Sequence, residues 1–167
     1  VFKEILETDN LKTIIIVARW SAYIRWWQRN PEIKNEEDAY QAFYKGLNYT
    51  TAELTKAGKK VILIGEVPRV NYSEAPSAMA RALVYKRDIN MTTTKSAYEI
   101  ENAKIQNMLK SAALRNNADI FEPYLYFCKK QICDAIHDGK SLYYDRDHLS
   151  RFGAEWLVEY IEKYIYF

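Results

Sequence analysis

The chain has 167 residues, 49% of them hydrophobic and 28% charged. That balance excludes a disordered segment and suits one globular domain with a sizeable core. A net charge of +2 removes the electrostatic case for nucleic-acid binding. No apolar run is long enough to span a bilayer. The opening VFKEILETDN lacks the basic start and apolar stretch of a signal peptide, although a mature domain cut from a longer protein would read the same way. The 14 Tyr and 4 Trp suit grooves where flat rings meet sugars or partners, or equally a core filled with rings.

In chain order, KTIIIVARW (12–20) is a β-branched apolar run, the mark of a strand covered on both faces. Residues 36–60 read as a helix opened by acidic residues and closed by Gly58 with two lysines. KVILIGEVPRV (60–70) is a second buried strand, stopped by Pro68, and a polar loop NYSEAPS follows. A short helix with Pro76 at its start covers 76–87, and a longer one covers 94–117. ADIFEPYLYF (118–127) holds a third strand. The last helix, 150–167, places Phe152, Trp156, Leu157, Tyr160, Ile161, Tyr164 and Ile165 at helical spacing. Strands alternating with helices predict a three-layer α/β/α sandwich with a mainly parallel sheet.

Ligands in such folds bind beyond the carboxyl ends of the strands. Three segments fall there: Arg19-Trp20-Ser21, Gly65 to Arg69, and Asp145-Arg146-Asp147-His148, with Ser150 as the N-cap of the last helix. A general-base histidine needs one ring nitrogen open toward the nucleophile and the other held by an acceptor that fixes the tautomer. Asp145, three residues before His148 on one tight turn, can be that acceptor. The competing reading makes Asp145 and Asp147 solvated turn residues and His148 part of the helix cap.

YYDRDHLSRFGAEWL (143–157) resembles the last signature block of the SGNH, or GDSL, hydrolases, where the triad aspartate and histidine have this spacing before the terminal helix. The resemblance is nearest to the extracytoplasmic SGNH domains attached to membrane O-acyltransferases that acylate lipopolysaccharide O-antigen and other envelope glycans. A strand ending in Ala18-Arg19-Trp20, a turn at Val67-Pro68-Arg69, and Cys128 and Cys133 ahead of Tyr144-Asp145 and His148-Leu149 complete it. These pieces run from about residue 12 to the C-terminus. The resemblance implies a single, partial SGNH-like domain over 1–167. It implies catalysis by Asp145 and His148 without cofactor or metal. It also implies an acyl transfer, acetyl expected, on an envelope polysaccharide or lipid-linked sugar. The partner would be a transmembrane acyltransferase domain, and the location the periplasmic side of an inner membrane.

The family's Gly-Asp-Ser nucleophile motif is missing, and none of the serines of this chain stands in such a context. The first strand, the nucleophile and part of the oxyanion hole are therefore expected upstream of Val1. No Gly-x-Asn-Asp follows the first visible strand; Arg19 and Trp20 stand there, candidates for oxyanion or substrate contact. A surface arginine paired with a carboxylate is the competing reading for Arg19.

Cys128 and Cys133 in CKKQIC are open to three readings: a small-loop disulfide, two reduced thiols, or zinc ligands with His137 and Asp134 or Asp138. The resemblance implies the disulfide. His137 itself reads as a surface helix residue. The alternative function is a noncatalytic module that binds glycan or docks on a membrane partner, with Trp20, Trp26 and Trp27 as a platform.

Overall fold

The structure, a computed structural model, describes residues 2–71, 75–87, 89 and 91–166, without the side chain of Trp27. The part of the tryptophan platform that rests on Trp27 lies outside the described residues. The elements run α1 (Phe2–Glu7), β1 (Thr13–Val17), α2 (Trp20–Trp27), α3 (Glu36–Lys56), β2 (Lys60–Ile64) and α4 (Ala75–Val84). Next come β3 (Thr93–Thr94), α5 (Lys95–Arg115), β4 (Asp119–Phe121), α6 (Tyr124–Phe127), β5 (Cys128–Lys129) and β6 (Ile132–Cys133). The chain ends with β7 (Ile136–His137), β8 (Lys140–Ser141) and α7 (Arg151–Ile165). The fold is mixed α/β, with parallel β1-β2-β4 as its main sheet.

Two compact units form: Val1–Glu66 with Asn102–Phe121, and Val67–Glu101 with Glu122–Phe167. The first contains the parallel sheet. The second carries the small antiparallel ladders β3-β6-β5 and β7-β8.

In the first unit, β2 sits between its neighbours with Ile14 opposite Val61 and Leu63 opposite Ile120. Val61, Ile62, Leu63 and Ile64 are all buried, so the apolar run of β2 is enclosed on both faces. Val61 and Leu63 join Trp20, Ile24, Phe43, Leu47, Leu54, Ile105 and Leu109 in the core. Each such side chain stabilises the fold by about 1.5–3 kcal/mol.

The expectation of a fully covered first strand is corrected here. Ile14 and Ile16 of β1 pack on the core, but Ile15 and Val17 are 40% and 64% exposed. The exposed pair alternates with the packed pair, so β1 is covered on one face and open on the other.

Helix α3 begins where Asn35 accepts the Asp38 N–H at 2.9 Å. It ends in a Schellman closure: Gly58 (φ 75) donates to Thr55 O and Lys59 to Leu54 O. Thr94 caps α5 by accepting the Ala97 N–H at 3.1 Å.

The expected third strand over 118–127 is shorter. β4 stops at Phe121 because Pro123 takes helical dihedrals and opens α6 instead. Helices α1 and α2 and the ladders of the second unit are additions to the expected elements.

The second unit has an aromatic core. Phe127 and Tyr143 are fully buried, and the Trp156 ring meets Phe127 edge-on at 5.0 Å. The close pairing of Gly153 in α7 with the Leu142 backbone leaves no room there for a side chain.

Candidate active site

The loop from Tyr143 to Ser150 is closed by its own backbone before any side chain is considered. Tyr144 N–H donates to His148 O at 2.9 Å, and Ser150 N–H to Leu142 O at 2.9 Å. The Ser150 hydroxyl donates to Ser141 O at 2.7 Å and accepts the Gly153 N–H at 3.0 Å, so it caps α7, as its position before the apolar run suggests.

Within this loop the Asp145 carboxylate is the organising group. Its Oδ1 accepts the backbone N–H groups of Asp147 at 3.0 Å and of His148 at 2.8 Å, an Asx-type turn. The same carboxylate meets the His148 ring: Nδ1 lies 2.8 Å from Oδ2 and 3.1 Å from Oδ1. Among the described residues, Nε2 of His148 has no hydrogen-bond partner, and the side chain is 68% exposed.

Desolvation works to raise the Asp145 pKa, but the donated N–H groups of Asp147 and His148 and the His148 ring outweigh it. They hold the carboxyl down at about 2, below its ordinary 3.8. An aspartate that stays ionised and fixes Nδ1 while Nε2 faces outward is the geometry of an oriented general base.

A brace of the loop was missed in the sequence. Arg69 Nε lies 3.8 Å from Asp147 Oδ2, and Arg69 Nη1 bonds Glu101 Oε1 at 3.1 Å. Val70 N–H donates to Arg146 O at 2.9 Å, and the buried Tyr143 hydroxyl donates to Pro68 O at 2.7 Å. The Val67-Pro68-Arg69 turn and the Asp145–His148 loop are therefore one assembly inside the second unit. The signal for this was present only as two separate motifs, since nothing local links positions so far apart.

Arg19 and Trp20 belong to the first unit. Trp20 is buried, and its indole N–H donates to Ile64 O at 2.7 Å, which makes it a core ring rather than an open platform. Arg19 stands at the N-cap of α2 with no capping bond from its side chain. The cap comes instead from the buried Glu66. Its carboxylate takes the Ser21 N–H in a short hydrogen bond and the Ser21 hydroxyl at 3.1 Å.

Cys128 and Cys133 face each other across β5 and β6 and are joined by a disulfide. Both sulfurs are taken up in that bond. The expected helical setting of His137 is also corrected: it lies in β7, its ring 5.5 Å from Trp156, because the chain turns back at Asp138-Gly139. Asp145, Asp147 and His148 offer ligand atoms within 4.8 Å of one another. The hydrogen bonds of Asp145 to the loop and ring already account for this clustering.

Residues 1–163 match a family model described as "SGNH domain (fused to AT3 domains)". The chain belongs to the SGNH domain family. No curated protein sequence matches this SGNH domain. Among solved structures, it is similar to the periplasmic domain of a lipopolysaccharide acetyltransferase of Salmonella ser. Paratyphi A, at a TM-score of 0.66 and 16% identity. That match covers 98% of this SGNH domain and 60% of the other chain, so the likeness is one of fold. Among the described residues, no helix of the SGNH domain is long and apolar enough to cross a membrane.

Proposed function

We propose that this SGNH domain moves an acyl group, acetyl foremost, to or from sugar hydroxyls of a cell-envelope polysaccharide. It would work on the extracytoplasmic side of a membrane, next to an AT3 acyltransferase domain of the same protein. The observation that carries the reading is the Asp145 carboxylate 2.8 Å from Nδ1 of His148, with Nε2 open. Fusion to AT3 domains in the family supports the membrane partner.

The nucleophile in this reading is a serine outside residues 1–167. Its hydroxyl proton passes to Nε2 of His148 as its oxygen attacks the acyl carbonyl. Asp145 stabilises the imidazolium that results. Collapse of the tetrahedral intermediate expels the donor oxygen, which takes that proton and leaves an acyl-serine. A sugar hydroxyl then gives its proton to Nε2, attacks the acyl carbon and releases the serine, which is reprotonated by His148. Water in place of the sugar gives ester hydrolysis. The edge of β1 left unpaired among the described residues fits a further strand contributed by the segment that bears the serine.

The test uses the parent protein, upstream segment included, on small acetyl esters. Activity that His148→Ala abolishes supports the proposal. Turnover that survives His148→Ala, or appears undiminished in the 167-residue chain alone, overturns it.

One observation favours a second reading, a glycan-binding module: Trp26 is exposed on α2, with the Tyr23 ring edge-on at 6.4 Å. Quenching of tryptophan fluorescence by envelope oligosaccharide, lost in Trp26→Ala but kept in His148→Ala, distinguishes it.

A further inference from the structure

Helix α4 ends in an unusual way for an apolar sequence. Its last residues and those after it, Leu83-Val84-Tyr85-Lys86-Arg87, are exposed without a break. Leu83, Val84 and Tyr85 are 79%, 75% and 65% exposed. Scattered apolar side chains on a surface are ordinary, but three large ones in succession are a patch.

The backbone makes this patch a defined knuckle. Lys86 N–H donates to Leu83 O and Arg87 N–H to Ala82 O, a Schellman closure with Lys86 in the left-handed region at φ 49. Gly58 fills the same position at the end of α3 at φ 75. Here the strained position holds a lysine, so a positive charge stands at the tip where glycine would fit more easily. Arg87 lies over the Tyr85 ring at 5.7 Å, and Arg81 is exposed one turn back. Among the described residues, no carboxylate pairs with Arg81, Lys86 or Arg87.

We infer that this knuckle docks on an anionic bilayer surface, with Leu83 and Val84 entering the headgroup–acyl boundary. Tyr85 sits at the interface with its hydroxyl toward water, and Arg81, Lys86 and Arg87 reach the lipid phosphates. The argument for lipid over another occupant is the composition of the patch. It joins exposed apolar side chains to three cations that no carboxylate pairs among the described residues, which complements an anionic headgroup layer over an apolar interior. The inference does not depend on the chemistry of His148. It gives the domain a preferred face toward the membrane.

The test is co-sedimentation of the 167-residue chain with vesicles of phosphatidylcholine, with and without phosphatidylglycerol. Binding is expected to the anionic vesicles only and to fall as salt rises. Lys86→Gln and Arg87→Gln each lower it about fivefold, and Leu83→Ser with Val84→Ser removes most of it. Leu114→Ser, on exposed α5 surface, leaves it unchanged. Three outcomes overturn the inference: equal binding to neutral vesicles, binding insensitive to the knuckle substitutions, or self-association through the knuckle with no lipid binding.

Discussion

Gly153→Ala is a substitution whose sign separates local from tertiary reasoning. Gly153 lies in the first turn of α7, where alanine on helix propensity alone would stabilise by about 1 kcal/mol. The added Cβ, however, falls 2.0 Å from Leu142 O, 2.7 Å from its carbonyl carbon and 2.9 Å from its Cα. These are backbone atoms, and reaching ordinary contact needs a separation of over an ångström. Leu142 cannot yield easily: its N–H is bonded to Ala135 O, its O accepts from Ser150 N–H, and its side chain is 1% exposed. Overpacking of this kind costs about 1–3 kcal/mol, and loss of the Ser150–Leu142 bond costs about 1 more. After the propensity gain, the net is a destabilisation of about 1–3 kcal/mol, or a fall in Tm of roughly 3–10 °C for a chain of this length. Thermal and urea unfolding followed by circular dichroism measure it. A Gly153→Ala protein as stable as the parent, or more so, would refute the close approach of α7 to Leu142.

Asp145→Asn should leave the fold intact but cut the acyl-transfer rate of the parent protein by roughly three to four orders of magnitude, read as kcat on a small acetyl ester. The Asp145 carboxyl is lowered in the folded state to about 2 from 3.8. Its contribution to stability is therefore complete above the ordinary value and is lost as pH falls through about 2. Urea midpoints over that acidic range should drop more steeply for the parent than for Asp145→Asn; parallel curves would contradict the assignment. Ser150→Ala removes both the α7 cap and the bond to Ser141 O, and should cost about 1–2 kcal/mol in chemical denaturation. Alkylation of oxidised material without reductant should label neither Cys128 nor Cys133, and mass spectrometry showing two labelled thiols would rule out the disulfide.

What could be read in the sequence follows the range of the interactions involved. β2 was legible because a strand enclosed on both faces writes its environment into a continuous apolar run. α3 was legible through the acidic residues that open it and the Gly58 that closes it, and α7 through its helical spacing and the Ser150 cap, whose partner Gly153 lies three residues away. The Asp145–His148 pairing lies within the same reach. α2 was not expected, and its cap shows why: the carboxylate that holds its first turn is Glu66, forty-five positions downstream. The brace of Asp147 by Arg69 is hidden for the same reason. The ladders between Cys128 and Ser141 have strands of two residues, too short for any alternation to register. Their one local sign was the Asp138-Gly139 pair, whose φ values of 47 and 71 suit a tight hairpin turn. It points to a hairpin where a helix is expected at His137.

The edge of β1, which pairs only with β2 among the described residues, has a practical consequence for the isolated chain. An edge strand of the sequence Thr-Ile-Ile-Ile-Val offers a row of open peptide groups beside exposed Ile15 and Val17. It has no proline, bulge or inward charge to discourage a second copy from aligning there. Concentrated solutions of residues 1–167 should therefore drift toward strand-to-strand aggregates. A lysine in place of Val17 is the simplest way to keep the material monodisperse for crystallisation or NMR.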